Sequence, residues 1–190
     1  MRTFLHILMA LAVAIAVTAC KDEVTGTVKR STDPEKVPTM SSRNVQTVIS
    51  DSGNTRYRIT TKTWLMYEEA AKPHWIFPSG VIAEELGPGF KTVTSVKCDS
   101  AYYDEQKRLW SLNGNVRITN VNKELILTDQ MYWNQEEHRL YSDAFIHIEK
   151  IDRVIEGYGY DSNEKLTTYQ VHKVKGIFPA DQARMQMGGM

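Results

Sequence analysis

Alternation of polar and apolar residues is the dominant pattern in this chain of 190 residues. Every second residue is apolar in short runs such as 56–60, 115–119 and 144–148. Because successive side chains of a strand point to opposite faces of a sheet, these runs predict half-buried β-strands. Clusters of Gly, Asn, Asp, Pro and Ser separate the runs, as at 113–115, and mark turns. Only residues 63–71 show a weak helical periodicity, so the pattern predicts an all-β domain.

A polar hairpin recurs in the second half of the chain. Tyr103-Asp104, Trp133-Asn134 and Tyr160-Asp161 each begin a polar stretch that ends in a leucine, so the second residue of the pair recurs at positions 104, 134 and 161. A strand–turn–strand unit repeated at such a spacing stacks into a long antiparallel sheet. Short strands at regular intervals are typical of a sandwich, a barrel or a roll.

The alternation also predicts which side chains face the interior. One parity of apolar residues is expected to point inward in each of three strands: Trp110, Leu112, Val116 and Ile118; Leu125, Leu127, Met131 and Trp133; and Ala144, Ile146 and Ile148. A bulge at Gly114 or Gly157 would switch the parity.

The first 19 residues have the features of an export signal. Arg2 precedes an apolar run from Phe4 to Val17, and Val17-Thr18-Ala19-Cys20 resembles the lipobox of bacterial lipoproteins. In such proteins the cysteine is acylated and becomes the first residue, so Cys20 is the predicted lipid anchor. One alternative is a plain signal peptide. Another is an uncleaved membrane helix, although the run is shorter than the ~20 apolar residues that span a bilayer.

The rest of the chain divides into three predicted parts. Residues 20–44 contain Pro34, Pro38 and many Ser and Thr without apolar periodicity, which predicts a flexible tether after the lipidated cysteine. Residues 45–180 form one β domain, large enough for its own core. Residues 181–190 end in Gly188-Gly189-Met190 and are expected to be a flexible tail.

Charge and cysteine content exclude several classes of function. The chain has 23 basic and 23 acidic residues, and loss of residues 1–19 removes only Arg2, which leaves 22 against 23 and a net charge of −1. With no basic block, nucleic acid is not an expected partner. Cys98 is the only cysteine besides Cys20, so it cannot form an internal disulfide and is expected to be a small core residue.

No pattern in the sequence points to catalysis, a metal or a cofactor. The histidines after the signal show no metal-ligand spacing: His74, His138, His147 and His172. Adjacent acids such as Glu84-Glu85 do not by themselves converge on one site, as an acid/base couple must. Gly87-Pro88-Gly89 lacks the Lys-Ser/Thr and helix of a phosphate-binding loop. The chain is therefore not predicted to be an enzyme.

Four segments together resemble the LptC family, the periplasmic lipopolysaccharide-transport component. They are Ser50-Asp51-Ser52-Gly53 followed by Tyr57; Phe77-Pro78-Ser79-Gly80-Val81; Leu109-Trp110 with Gly114-Asn115-Val116; and Gly157-Tyr158-Gly159-Tyr160. The hairpin repeat is similar to the organic-solvent-tolerance repeat of that transport system. The resemblance covers about residues 45–180 and implies an open, twisted antiparallel β-jellyroll with a groove for acyl chains.

The resemblance implies a function, partners and a location. The chain would be a lipopolysaccharide carrier that accepts the lipid from an inner-membrane ABC transporter complex and passes it to an LptA-like periplasmic bridge protein. It would sit on the periplasmic face of the inner membrane, held by Cys20 where familiar members have a spanning helix. Two alternatives stay open: a lipocalin-like lipoprotein with a closed barrel that binds another lipid, and a structural assembly lipoprotein that binds none.

Two sets of residues carry the expected binding. The groove lining is predicted from the inward parity: Trp110, Leu112, Val116, Ile118, Leu125, Leu127, Met131, Ala144, Ile146 and Ile148. Docking with similar domains is expected at two strand edges, near Tyr57 and Ile59 and near Tyr169, Val171 and Val174. The tryptophans either fill the core or line the groove.

Overall fold

The computed structural model describes residues 33–51 and 54–179 of the protein. This part contains eleven β-strands and one short 3-10 helix, Pro88–Phe90. The strands are β1 (Met40–Asp51), β2 (Asn54–Tyr67), β3 (His74–Phe77), β4 (Val81–Leu86), β5 (Thr92–Cys98), β6 (Ser100–Asp104), β7 (Leu109–Thr119), β8 (Leu125–Asn134), β9 (Arg139–Glu149), β10 (Arg153–Asn163) and β11 (Tyr169–Pro179).

All eleven strands belong to one antiparallel sheet. β7 to β11 follow one another as a meander of hairpins. Along its other edge β7 pairs with both β5 and β6. One edge of β2 pairs with both β4 and β3, and its other edge pairs with β1. Within the described ranges β1 pairs only with β2 and β11 only with β10, so the sheet has two free edges. The predicted open antiparallel β-jellyroll is confirmed, and the described strands do not close into the barrel of a lipocalin.

The sheet curls so that its two halves face each other. Tyr57 of β2 and Trp133 of β8 are separated by three intervening strands, yet their ring centroids are 6.1 Å apart. In a flat sheet with about 4.8 Å between strands, the same positions would lie roughly 19 Å apart. The apolar core therefore lies between the halves and draws side chains from β2 through β10.

Bulges decide which residues face this core. In β8 the buried residues are Ile126 and Thr128, and then Met131, because the register against β9 shifts between Thr128 and Tyr132. Leu125 and Leu127 alternate with the buried pair and lie on the opposite face of the sheet, so the prediction that they point inward is wrong. In β7 two residues with positive φ, Gly114 and Asn115, are inserted together, and the predicted parity is preserved.

The start of the domain also differs from the prediction. The tether was expected to run to residue 44, but β1 begins at Met40 and pairs from Met40 opposite Met66 to Arg43 opposite Thr63. The residues before it are held as well, since the amide of Ala71 donates to Glu35 Oε1 at 2.7 Å. The weak helix at 63–71 does not form because β2 continues to Tyr67. The predicted signal peptide, Cys20, the tether up to residue 32 and the tail lie outside the described residues.

Candidate functional site

A row of aromatic side chains crosses the inner face of the sheet near one end. Trp75, Tyr103, Trp110 and Trp133 are direct partners on β3, β6, β7 and β8. Successive ring centroids are 4.8, 4.7 and 6.5 Å apart. Two of the four, Tyr103 and Trp133, begin units of the hairpin repeat, and Trp110 directly follows the leucine that ends the first unit. The row is a continuous apolar surface one side chain deep.

A cleft of about 160 Å³ opens beside this row, between the two halves of the curled sheet. One wall comes from the first half of the domain and the other from the second. The apolar lining consists of Ile49, Tyr57, Ile59, Val81, Ala83 and Val96 on one side, and of Trp110, Leu112, Ile118, Trp133, Leu140 and Leu166 on the other. Polar and charged residues also line it: Arg56, Glu84, Glu85, Thr94, Gln135, Glu164 and Lys165. An apolar interior with a polar rim suits an amphiphile.

The turn between β10 and β11 closes one side of the cleft. Leu166 adopts a φ of +55°, which is uncommon for a leucine, and its side chain is buried in the core. Asn163 holds this conformation, since its carbonyl accepts from Leu166 N at 3.0 Å and its Oδ1 accepts from Thr167 N at 2.9 Å. Glu164 N donates to the carbonyl of His138 at 2.9 Å, which joins this turn to the β8–β9 turn.

The indole N–H groups near the site form no hydrogen bonds in the described part of the chain. Within the described residues Nε1 of Trp64, Trp75, Trp110 and Trp133 is buried and has no hydrogen-bond partner. A buried indole N–H usually finds an acceptor, and leaving one unpaired costs about 1–3 kcal/mol. The tryptophans thus contribute to the core through the apolar packing of their rings, and two of them, Trp110 and Trp133, also line the cleft. Recognition in this cleft rests on apolar contact.

The structure separates the predicted groove residues into three groups. Trp110, Leu112 and Ile118 line the cleft. A second group is buried in the closed part of the core away from it: Val116, Met131, Ile146 and Ile148. Ala144 is half-buried beside a bulge of β9, and Leu125 and Leu127 lie on the outer face.

Sequence reasoning missed the lining from the first half of the domain and from the hairpin ends. Ile59 and Ala83 come from β2 and β4, whose approach to β8 and β9 depends on the curl of the sheet, whereas Val96 on β5 is the direct partner of Ile118 on β7. Leu140 and Leu166 each follow the polar stretch of a hairpin repeat, so that repeated leucine was a usable signal.

Of the two predicted docking edges, only the one on β11 is an edge of the sheet. Tyr57 and Ile59 pair with β1 on one side and with β4 on the other, so the prediction that this strand is an edge is wrong. β1, which precedes this strand in the chain, forms the edge instead. Tyr169, Val171 and Val174 lie on β11, whose only partner in the described chain is β10.

The titratable groups of residues 33–51 and 54–179 include ion pairs and singly buried groups. In the described part of the chain no three His, Cys, Asp or Glu side chains are arranged to hold a metal ion. His147 contacts Glu156 at 2.8 Å and Glu149 at 3.3 Å on the outer face, away from the cleft. Burial raises the pKa of the Cys98 thiol to about 11, so it is protonated at neutral pH and unreactive.

Comparison with known families agrees with this geometry. The model of the family described as lipopolysaccharide-assembly, LptC-related, matches residues 5–178, nearly the whole chain. No individually curated protein matches the sequence. Among the described residues no helix is long and apolar enough to cross a membrane. The family consists of transport components, not enzymes, and is associated with the periplasmic side of the inner membrane. The chain belongs to the LptC family and takes part in lipopolysaccharide transport.

Proposed function

We propose that the protein is a periplasmic carrier that takes lipopolysaccharide from an inner-membrane ABC transporter complex and passes it to a homologous, LptA-like bridge protein. The acyl chains move through the apolar cleft between the two halves of the sheet. The energy for extraction comes from the transporter, and the carrier breaks no bond. The observation that carries this proposal is the open cleft beside the aromatic row, in a chain of the LptC family.

The energetics of the cleft support a carrier role. Burying one methylene contributes ~0.8 kcal/mol, so ten methylenes in the cleft would contribute on the order of 8 kcal/mol. None of this depends on a directional hydrogen bond, so successive positions along the cleft have similar affinity. A lipid can then move from one apolar site to the next without crossing water.

The two free strand edges are the proposed docking sites for the neighbouring proteins. An edge strand presents a row of unpaired backbone N–H and C=O groups, which another sheet can continue. β1 and β11 lie at opposite edges of the sheet, so one partner on each side would form a continuous sheet through the carrier. Val174, Ile177 and Phe178 on β11 are exposed and would be covered by such a contact.

We further propose that acylated Cys20 anchors the carrier to the periplasmic face of the inner membrane. Residues 21–32 would then link the anchor to the first described residue, Asp33. Mass spectrometry of the mature amino terminus tests this directly. A diacyl or triacyl modification on Cys20 is expected, and an unmodified terminus or an intact residue 1–19 segment would refute the anchor.

Photo-crosslinking in cells tests the cleft itself. A photoreactive residue at Val96, which lines the cleft, should capture lipopolysaccharide. The same residue at Lys97, the next position on β5, is the matched control, because it points outward and is exposed. Capture at Lys97 but not at Val96 would rule out transport through the cleft.

A further inference from the structure

The outer face of the sheet carries aromatic side chains directly behind the inner aromatic row. Tyr67, His74 and Tyr102 form one stack, with centroids 4.7 and 5.2 Å apart. Tyr132 and Tyr141 form a second stack at 5.2 Å. The Arg139 guanidinium lies 4.8 Å from the Tyr141 ring centroid. All of these rings are half-buried, so the stacks present ring area to solvent.

A trough separates the two stacks. Ser111 of β7 is the direct partner of Tyr102 on β6 and of Tyr132 on β8. Each tyrosine stacks on its outer neighbour, and no ring contact joins Tyr102 to Tyr132 in the described part of the chain. Two strand spacings place the Cα atoms of the tyrosines about 10 Å apart. A flat ring in contact with both walls needs roughly 7–8 Å, and the small Ser111 leaves that space open.

Polar groups line one end of the trough. Asn113, two residues along β7 from Ser111, is the direct partner of Gln130 on β8. Gln130 Nε2 donates to Asn113 Oδ1 at 3.3 Å, and Asn113 Nδ2 donates to the Ser111 carbonyl at 3.5 Å. Each side-chain amide nitrogen carries a second hydrogen, and the side-chain oxygen Oε1 of Gln130 accepts no bond within the described chain. Amide donors and acceptors thus stand beside the hydroxyls of Ser111, Tyr102 and Tyr132.

The chemistry of this lining selects its ligand. The five side chains that form the trough are all uncharged, and burial with nearby Asp104 raises the pKa of the Tyr102 phenol, which keeps it neutral. These five side chains offer no complementary charge to a charged peptide or a nucleic acid, and an apolar partner would bury amides and hydroxyls without hydrogen bonds. A sugar ring offers apolar C–H faces for the tyrosine walls and hydroxyls for the amides.

We propose that the trough over Ser111, walled by Tyr102 and Tyr132, binds the oligosaccharide part of the lipopolysaccharide whose acyl chains occupy the inner cleft. This inference rests on the proposed carrier function. The wall residues are sequence neighbours of the inner row: Tyr102 precedes Tyr103, Ser111 follows Trp110, and Tyr132 precedes Trp133. Only the turns at residues 105–108 and 135–138 separate the two faces, so an amphiphile with its tails inside can fold its sugars over this rim.

The binding test uses lipid-free oligosaccharide, released from lipopolysaccharide by mild acid, titrated calorimetrically into the full chain in detergent micelles. Ser111→Trp fills the trough and should weaken binding at least tenfold. Ser95→Trp is the matched control, since Ser95 also points outward but lies on β5 outside the trough; it should bind like the parent. Equal binding by the two variants, with circular dichroism showing both folded, would overturn the inference.

A second pair of variants keeps the test independent of the Ser111 substitution. Tyr132→Ala removes a wall and should weaken oligosaccharide binding about tenfold, whereas Tyr132→Phe keeps the ring and should stay within about threefold of the parent. Equal affinities for these two variants would also refute the site.

Photo-crosslinking from Val96 separates the two ideas. Capture of lipopolysaccharide there, combined with unaltered oligosaccharide binding by Ser111→Trp, refutes the trough alone. Oligosaccharide binding that Ser111→Trp abolishes, without any capture from Val96, refutes the carrier function and retains the trough.

Discussion

The inner face of the sheet has a sealed part and an open part, built from different side chains. In the sealed part Val116, Ile126, Ile146 and Ile148 are at most 3 % exposed and do not line the cleft. In the open part the larger residues Trp75, Tyr103 and Trp133 remain half-buried. Branched aliphatic side chains on paired strands interdigitate and close the space between the halves. Flat rings in a row contact one another along the sheet and leave a cleft beside them.

This difference assigns separate roles to residues that look alike in sequence. Ile126 and Ile148 are direct partners on β8 and β9 and are buried away from the cleft. Trp110 and Trp133 are equally direct partners, but they present a face to the cleft. Stability and lipid binding should therefore respond to different substitutions, and four predictions test this.

The largest expected effect is a charge in the sealed part. Ile146→Asp places an unpaired carboxylate where the side chain is fully buried, and it should cost about 4 kcal/mol or more of the free energy of unfolding. Urea denaturation followed by circular dichroism measures the loss. Phe145→Asp, at the next residue and 38 % exposed, is the control and should cost about 1 kcal/mol or less. Similar urea midpoints for the two variants would contradict the inward orientation of Ile146.

Truncation in each part tests the separation of roles directly. Ile148→Ala should cost about 3 kcal/mol through the cavity it leaves and should not reduce lipopolysaccharide capture from Val96 while the domain is folded. Trp133→Ala should cost less, about 2 kcal/mol, because the ring is only half-buried, but it should reduce capture several-fold. A loss of capture in proportion to the loss of stability would show that the two parts are not distinct.

The sealed part should also make the domain sensitive to alkaline pH. Burial raises the pKa of Cys98 from 9.0 to about 11 and that of Tyr160 from 10.0 to about 12. Because the folded state holds these protons more tightly, their stabilisation is present below pH 9 and is lost as pH rises from 9 to 12, on the order of 2–3 kcal/mol for each group. The urea midpoint at pH 8 and pH 11 measures this, and Cys98→Ala or Tyr160→Phe should each flatten the dependence. A midpoint that stays constant in the parent would contradict the burial of both groups.

The smallest effect is expected for Trp110→Phe. The substitution leaves a cavity but also removes a buried N–H that has no partner in the described chain, and these terms offset each other to within about 1 kcal/mol. Trp110→Ala, the control, removes the same N–H but most of the ring as well and should cost about 3–5 kcal/mol. Thermal unfolding of both variants checks the prediction. A loss well above 1 kcal/mol for Trp110→Phe would mean that the indole N–H is bonded in the folded protein.

Sequence alone determined the strand content and much of the inner face. Alternation along 115–119 and 144–148 placed Val116, Ile118, Ile146 and Ile148 inside, because a strand allows only two orientations. The ordered motifs indicated the LptC family, which the family match confirms. These features are local, or depend on neighbours one hairpin away.

Only the tertiary structure decided the edges, the orientation of Leu125 and Leu127, and the composition of the cleft. A one-residue register shift in β8 turns Leu125 and Leu127 to the outer face, and no residue type in the sequence predicts that shift. The strand from Met40 covers Tyr57 and Ile59 because backbone hydrogen bonds satisfy edge groups whatever the side chains are. The cleft joins Ala83 and Val96 to Leu140 and Leu166 because the whole sheet curls, and curl is a sum of small twists over many strands that no local segment encodes.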